Sequence, residues 1–302
     1  MCMKSLKLIL RAATQRADKA RLVQFKPPAL PSCQYSRSLR IDKAHYQQYC
    51  EQMDWPVYNV LHPCYLQMVS LPLQLQCLTT VNSPFPVMGL IHKSNQINQQ
   101  LCIDPDSPFM LYARYRAIRP HYKGWVVDIE VSASQHQQSV YRAVATYLVK
   151  TRAPHVAPRK YRREPQPLVI PESAREHSVL VATKAIGRGY AKLSKDYNPI
   201  HLSRFSASFF GFRQPIAHGM WSLARLCSGL PDLAERQNIK PEETDDEGVE
   251  FELSCEFIKP ITLPATARSF SIGQQDKCKF WLTNDTVDVP HLLGELTLTS
   301  GR

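Results

Sequence analysis

The chain has 302 residues, with 44% hydrophobic and 21% charged positions and a net charge of +11. That length and balance fit one large or two ordinary globular domains and argue against a disordered, collagenous or low-complexity chain. No apolar run reaches the ~18 residues of a membrane span, so no span is expected. Nine cysteines without a CxxC pair or repeated spacing make a poor disulfide framework and offer no zinc pattern, so reduced thiols and no metal site are expected.

Residues 1–29 read as a basic arm: seven Lys/Arg stand against Asp18 alone within residues 1–26. Leu6, Leu8, Ile9 and Leu10 suit a docked amphipathic helix; the same Arg-rich, acid-poor composition also suits a transit peptide in residues 1–24. A cytoplasmic chain follows from the first reading and a mitochondrial one from the second. The basic surface attracts polyanions, such as a phosphate-bearing cofactor or an acidic carrier protein. No nucleic-acid-binding motif accompanies it, and nucleic acid is not expected as a partner.

Residues 30–150 form the first predicted repeat. A short strand at 34–41 and a polar helix at 44–52 precede a long apolar helix over 63–80. Strand-like runs follow at 85–92, 109–118, 125–132 and 139–149, the last two with the alternation of half-exposed strands. Residues 151–172 hold Pro154, Pro158, Pro165, Pro167 and Pro171 among basic residues, which suits an extended linker.

Residues 173–302 form the second repeat. A run at 178–184 leads into a turn at Asp196–Pro199. A helix over 216–227 follows, with Pro215 at an early helical position, Met220, Leu223, Ala224 and Cys227 on one face, and Gly229 and Pro231 as stop signals. The acidic stretch 232–250 reads as a surface loop. Four strand-like runs close the chain, at 249–258, 265–272, 277–283 and 291–299. A helix followed by consecutive strands, twice over, predicts an α+β fold with mainly antiparallel sheets.

Asp196-Tyr-Asn-Pro-Ile-His201 carries the chemistry. Asp and Asn bond their own backbone and Pro presets φ, so the segment is a tight turn. Such a turn can aim the Asp196 carboxylate and the His201 imidazole at one water. Gly219, near the start of the apolar helix, can place its N–H against a carbonyl that gains negative charge. Water activation beside a carbonyl clamp describes hydration of an α,β-unsaturated carbonyl, or the reverse.

Tyr190, Leu193, Ser194, Asp196, Asn198, Pro199, Ile200, His201 and Ala207 resemble the signature of the MaoC-like, (R)-specific enoyl-CoA hydratase family. Gly211-Phe-Arg-Gln-Pro-Ile-Ala-His-Gly-Met220 and Ser254-Cys-Glu-Phe-Ile-Lys-Pro-Ile261 extend the likeness, while 86–92 and 119–124 look like a degenerate first repeat.

The resemblance implies a double hot-dog fold and a hydro-lyase that interconverts a trans-2-enoyl thioester and its (R)-3-hydroxyacyl thioester in fatty acid metabolism. It implies Asp196, His201 and Gly219 as catalytic groups and Ser194, Asn198 and Pro199 as loop supports. Phe212, His218, Met220 and Cys227 are the expected substrate contacts, although His218 and Cys227 also read as structural. The substrate would be an acyl-CoA or acyl carrier protein thioester, with no separate cofactor, on a monomer of paired repeats or a homodimer. A carrier-protein dehydratase and a non-catalytic acyl-thioester binder are the alternatives. Lys195 stands where the signature has Gly; an ordinary right-handed or extended backbone is expected there, leaving Lys195 free to reach a phosphate.

Overall fold

The structure is a computed structural model that describes residues 8, 11–12, 14–55, 61–100, 103–152, 168–230, 250–274 and 276–299. Most of the predicted linker and the acidic stretch, and the first seven residues of the basic arm, lie outside them. In chain order the elements begin with α1 (Lys19–Leu22), β1 (Gln34–Leu39), α2 (Lys43–Met53), α3 (Tyr65–Val69) and α4 (Leu71–Leu78). Strands β2 (Ile91–Gln100), β3 (Phe109–His121), β4 (Gly124–Gln135), β5 (Gln138–Lys150) and β6 (Arg175–Ala182) follow. Next come α5 (Ile186–Ser194), a 3-10 turn (Pro199–His201), α6 (Arg204–Ser208) and α7 (Gly219–Ser228). The last strands are β7 (Glu250–Phe257), β8 (Ala265–Gln274), β9 (Lys277–Asn284) and β10 (Pro290–Thr299). No helix among the described residues is long and apolar enough to cross a membrane.

The chain divides into two compact units; one boundary, between Pro167 and Leu168, falls within residues 151–172, while two earlier segments group with the C-terminal half. One comprises Met1–Leu39, Val69–Ser94 and Phe109–Pro167; the other comprises Arg40–Met68, Asn95–Pro108 and Leu168–Arg302. The second unit therefore takes α2 and the segment leading into α3 from the first predicted repeat. Each unit is an α+β hot-dog arrangement, a helix packed on an antiparallel sheet.

In the first unit the strands run β1-β3-β4-β5, all antiparallel, with α4 against β1, β3 and β4. The basic arm docks here in its described part. Leu22 is buried, and its carbonyl accepts from the indole N–H of the buried Trp125 at 2.7 Å. The Gln15 amide donates to the carbonyls of Leu78 and Phe85.

Three expectations change in this unit. The long helix over 63–80 is two helices, because Pro72 lacks the N–H that would continue the ladder and Ser70 restarts it, accepting from Leu73 and Gln74. Residues 85–90 are not a strand: Pro86 removes a donor and Gly89 sits at φ +84°, so pairing begins at Ile91. The alternation read in β4 is not solvent exposure. Asp128 and Glu130 are buried, and their carboxylates accept from Arg119 and from Arg114 and Arg142. Charged side chains on a central strand are tolerated because each has a guanidinium partner.

In the second unit the strands run β7-β10-β9-β8-β6, again antiparallel. Phe251, Leu253, Cys255, Phe280 and Leu282 supply alternate inward positions of β7 and β9. Helix α7 spans this sheet from β7 to β6. Its first residue, Gly219, faces the Phe257 ring, and Gly229 just past its end faces Ser178. Burial around α7 is wider than one face: Trp221, Ser222 and Leu226 are buried along with Leu223, Ala224 and Cys227. Met220 is only half-buried.

Helix α7 begins later than predicted, and Pro215 is outside it. Residues 215–217 run extended instead. Ala217 N–H donates to the Ile261 carbonyl at 2.9 Å, and Leu263 N–H donates to the Pro215 carbonyl at 2.8 Å.

From the other side α7 is held by the segment around α2. His62 is fully buried, accepts on Nδ1 from the Cys64 N–H, and meets the Ala224 carbonyl with Nε2 at 3.3 Å. Burial lowers its pKa to about 3, so the ring is neutral there. Arg225 pairs with Asp54. His92 stacks on Tyr147, and His121 Nδ1 accepts from the Lys123 N–H. The described cysteines (33, 50, 64, 77, 227, 255 and 278) are free thiols.

Lys195 departs from its expected backbone. It closes α5 at φ 63°, ψ 17°, the left-handed region that suits glycine at a helix C-terminus. Its ammonium does not reach outward but donates to the Lys192 carbonyl at 2.8 Å, satisfying a last-turn acceptor. A non-glycine residue there costs ~1 kcal/mol. Lys195→Gly should therefore raise the urea midpoint by the equivalent of about 1 kcal/mol, and an unchanged or lower midpoint would show that the Lys192 bond outweighs the backbone strain.

Candidate active site

The site grows from the end of α5. Ser194 Oγ donates to the Tyr190 carbonyl at 2.7 Å and accepts from the Asp196 N–H at 3.2 Å, so one hydroxyl ties helix to loop. The Asp196 carboxylate accepts from the Asn198 N–H, and Asn198 Oδ1 accepts from the Ile200 N–H. Pro199 opens the 3-10 turn that ends on His201. Ser194, Asn198 and Pro199, expected as loop supports, stand at these positions. His45, in α2, places Nε2 3.0 Å from the Leu193 carbonyl and adds a further cap to α5.

His201 is buried, and its Nδ1 lies 2.8 Å from the Ile216 carbonyl. A carbonyl only accepts, so Nδ1 carries the proton and Nε2 keeps its lone pair. The Ile216 N–H returns a bond to the Ile200 carbonyl at 3.1 Å. Burial lowers the His201 pKa, opposed by the Asp196 carboxylate and by the bond to Ile216. The ring therefore rests as a neutral base.

His218 comes to the same place. Its ring stacks on His201 with centroids 3.6 Å apart and planes 25° apart, and Tyr190 closes its other side at 4.9 Å. Its Nε2 is 3.2 Å from the Asp196 backbone carbonyl, which makes Nε2 a donor, and its buried Nδ1 has no hydrogen-bond partner. Burial holds its pKa well below the ordinary 6.5, and the neighbouring His201 pushes the same way. Nε2 also lies 3.9 Å from the carboxylate, but a neutral ring makes no ion pair.

One donor atom each from Asp196, His201 and His218 falls within a 4.8 Å spread, close enough for one metal ion, although sequence spacing suggested no such site. Coordination through His218 Nε2 would cost its bond to the Asp196 carbonyl. The arrangement fits one shared water equally well. The Asp196 side chain is 35% exposed, so the cluster is open on the carboxylate side.

Gly219 is the first residue of α7. No side chain caps that turn, so the helix presents free N–H groups beside His218. A Cβ at Gly219 would stand 2.9 Å from the Phe257 ring, so the position has no room for a side chain unless that ring moves.

The expected substrate contacts separate. His218 and Met220 stand at or beside this helix start; Met220 Sδ accepts from Asn95. Cys227 is fully buried, a free thiol beside that of Cys64. Eight residues of helix put it about 12 Å along the axis from Gly219. Phe212 is half-buried in the turn after α6, its N–H donating to the Ala207 carbonyl.

Gly187 was not singled out by the sequence, yet a Cβ there would lie 2.1 Å from the His201 carbonyl oxygen. Glycine in the first turn of α5 is what lets the His201 backbone approach. The one available signal was a Gly-x-Gly pair inside a helical stretch. The Ile216 carbonyl is a backbone group, invisible to a search for side-chain motifs.

Residues 169–269 match the profile of the MaoC like domain. The chain carries a MaoC-like domain. It is 28% identical over 254 residues to 3-hydroxyacyl-thioester dehydratase X of Mycobacterium tuberculosis, covering 84% of this chain and 85% of that one. A crystal structure of that protein, HtdX, superposes with a TM-score of 0.70 at 25% identity, covering 87% of this chain and 99% of the other. A MaoC-like dehydratase from Phytophthora capsici has the same fold, with a TM-score of 0.66 at 15% identity over 93% and 98% of the two chains. The matched profile of the MaoC-like domain includes the loop, the turn and α7.

Gly187→Ala should lower turnover by about tenfold or more and cost ~1–3 kcal/mol of stability, because the new methyl meets backbone and not a movable side chain. Turnover and thermal melting measured together check this; wild-type values in both would mean that the His201 peptide is free to retreat.

Proposed function

We propose that the protein is a hydro-lyase of the acyl-thioester class, adding water to a trans-2-enoyl thioester or removing it from the 3-hydroxyacyl thioester. The observation that carries this reading is the His201 ring, which has a nitrogen within 4.8 Å of the Asp196 carboxylate and whose Nδ1 bond to the Ile216 carbonyl leaves Nε2 unprotonated. The MaoC-like profile and the likeness to HtdX support it.

In the hydration direction, a water bonded to Asp196 and His201 Nε2 loses a proton to one of them as its oxygen bonds to C3. Electron density moves through the conjugated system to the thioester oxygen, where the Gly219 N–H accommodates the charge. The group that took the proton returns it at C2, so one water is added in all. Delivery of both groups from one face gives syn addition, and the resemblance to (R)-specific hydratases points to the (R)-3-hydroxy product. Positioned acid–base groups contribute on the order of 10²–10⁴ in rate and an oxyanion donor about 10²–10³. His218 fixes the peptide of Asp196 and the plane of His201 together. A CoA ester is the simplest substrate form. Delivery on a carrier protein is a second reading, favoured by the aromatic and basic face of α6.

Asp196→Asn and His201→Ala should each reduce crotonyl-CoA hydration at least about a hundredfold in a protein that still folds. Near-normal rates in either variant rule out the assignment, and thioester binding without turnover in the wild type points to the non-catalytic alternative. The lowered His201 pKa also sets a sign. The ring stays neutral at pH values where an ordinary histidine (6.5) becomes protonated, so kcat/KM holds its plateau through that pH and falls only on further acidification.

A further inference from the structure

Helix α6 turns its apolar residues outward. Ala207 is buried, while Phe205 and Phe209, four residues apart on the opposite side, are 76% and 72% exposed. Their rings meet edge to face with centroids 5.1 Å apart, forming one small aromatic knob. Two phenylalanines this exposed on one turn are unusual for a surface with no partner. The knob is anchored to the catalytic loop. Ser203 Oγ caps α6 through the Ser206 N–H at 3.1 Å, and Ser206 Oγ donates to the Pro199 carbonyl at 2.7 Å, two residues before His201.

The sequence on either side of the knob is basic. Between residues 184 and 231 the chain carries Lys184, Arg188, Lys192, Lys195, Arg204, Arg213 and Arg225 against Asp196 alone. Arg225 is occupied by Asp54, but Arg204 and Arg213, which flank the knob in sequence, are exposed. Arg188 lies against the same loop, 3.5 Å from the Leu202 carbonyl.

We propose that the α6 face is the docking surface for an acidic carrier protein that presents its acyl group as a tethered thioester. The proposal rests on the hydro-lyase reading above. The aromatic pair supplies an apolar centre, Arg204 and Arg213 supply complementary charge, and the Ser206–Pro199 bond places the docked partner beside the loop that holds Asp196 and His201. A tether delivers substrate to a site next to its dock, which gives an aromatic face at this position a purpose. A lipid surface would bind the same knob but would present no tethered thioester.

The test compares crotonyl thioesters of a bacterial acyl carrier protein and of CoA on the full chain and on two surface variants, Phe205→Ser/Phe209→Ser and Arg204→Glu/Arg213→Glu. Melting temperatures confirm that both variants fold. The expected result is a loss of about tenfold or more in kcat/KM for the carrier-bound substrate, carried by KM, with CoA turnover within about twofold of wild type. Added salt should weaken the wild-type carrier reaction more than the CoA reaction. Equal losses on both substrates, or none on either, overturn the proposal. So does binding to phosphatidylglycerol vesicles that the variants abolish while carrier kinetics stay intact. Fluorescence anisotropy of labelled holo-carrier reads docking without turnover. Variant-sensitive binding by a wild type that hydrates neither thioester upholds the dock and overturns the hydro-lyase reading. No carrier binding, with normal CoA turnover, does the reverse.

Discussion

The hydrogen bond from His201 Nδ1 to the Ile216 carbonyl is the contact on which the rest of the site depends. A neutral imidazole has one proton to place, and placing it on Nδ1 decides that Nε2 is the base. That bond in turn requires residues 215–217 to run extended beside 261–263 and not to begin the helix early. It also requires α5 to approach the His201 backbone, which Gly187 permits by lacking a side chain.

The polar groups here lie in a largely buried setting, and each interaction answers a cost of desolvation. His201 and His218 both sit with lowered pKa, and two neutral rings stack at a distance that two imidazolium ions would resist. Asp196 keeps partial access to solvent beside these buried rings. Helix α7 contributes uncapped N–H groups at that end, while its body is held between the sheet and the segment around α2 by His62 and Arg225.

That support explains why the second compact unit reaches across the chain for residues 40–68. A helix buried on nearly all sides needs more covering than one sheet face, and α2 with His62 and Trp55 supplies it. Lys195 shows the opposite balance. The turn after α5 keeps a left-handed residue without glycine, and the lysine offsets part of the strain by bonding the Lys192 carbonyl.

Local pattern determined much of this. Alternation in β7 and β9, the capped turn at Asp196–His201 and the apolar stripe of α7 arise from neighbours along the chain, and they were legible in the sequence. The α+β class and the pairing of Asp196 with His201 followed from them. Tertiary structure alone decided which histidine nitrogen is bare, that His218 stacks beneath it, and that Gly187 must be small, because those depend on residues and backbone carbonyls brought in from elsewhere in the fold. It also decided that Asp128 and Glu130 are buried. A carboxylate in an alternating strand looks solvent-facing until the arginines of the neighbouring strands β3 and β5 are seen around it.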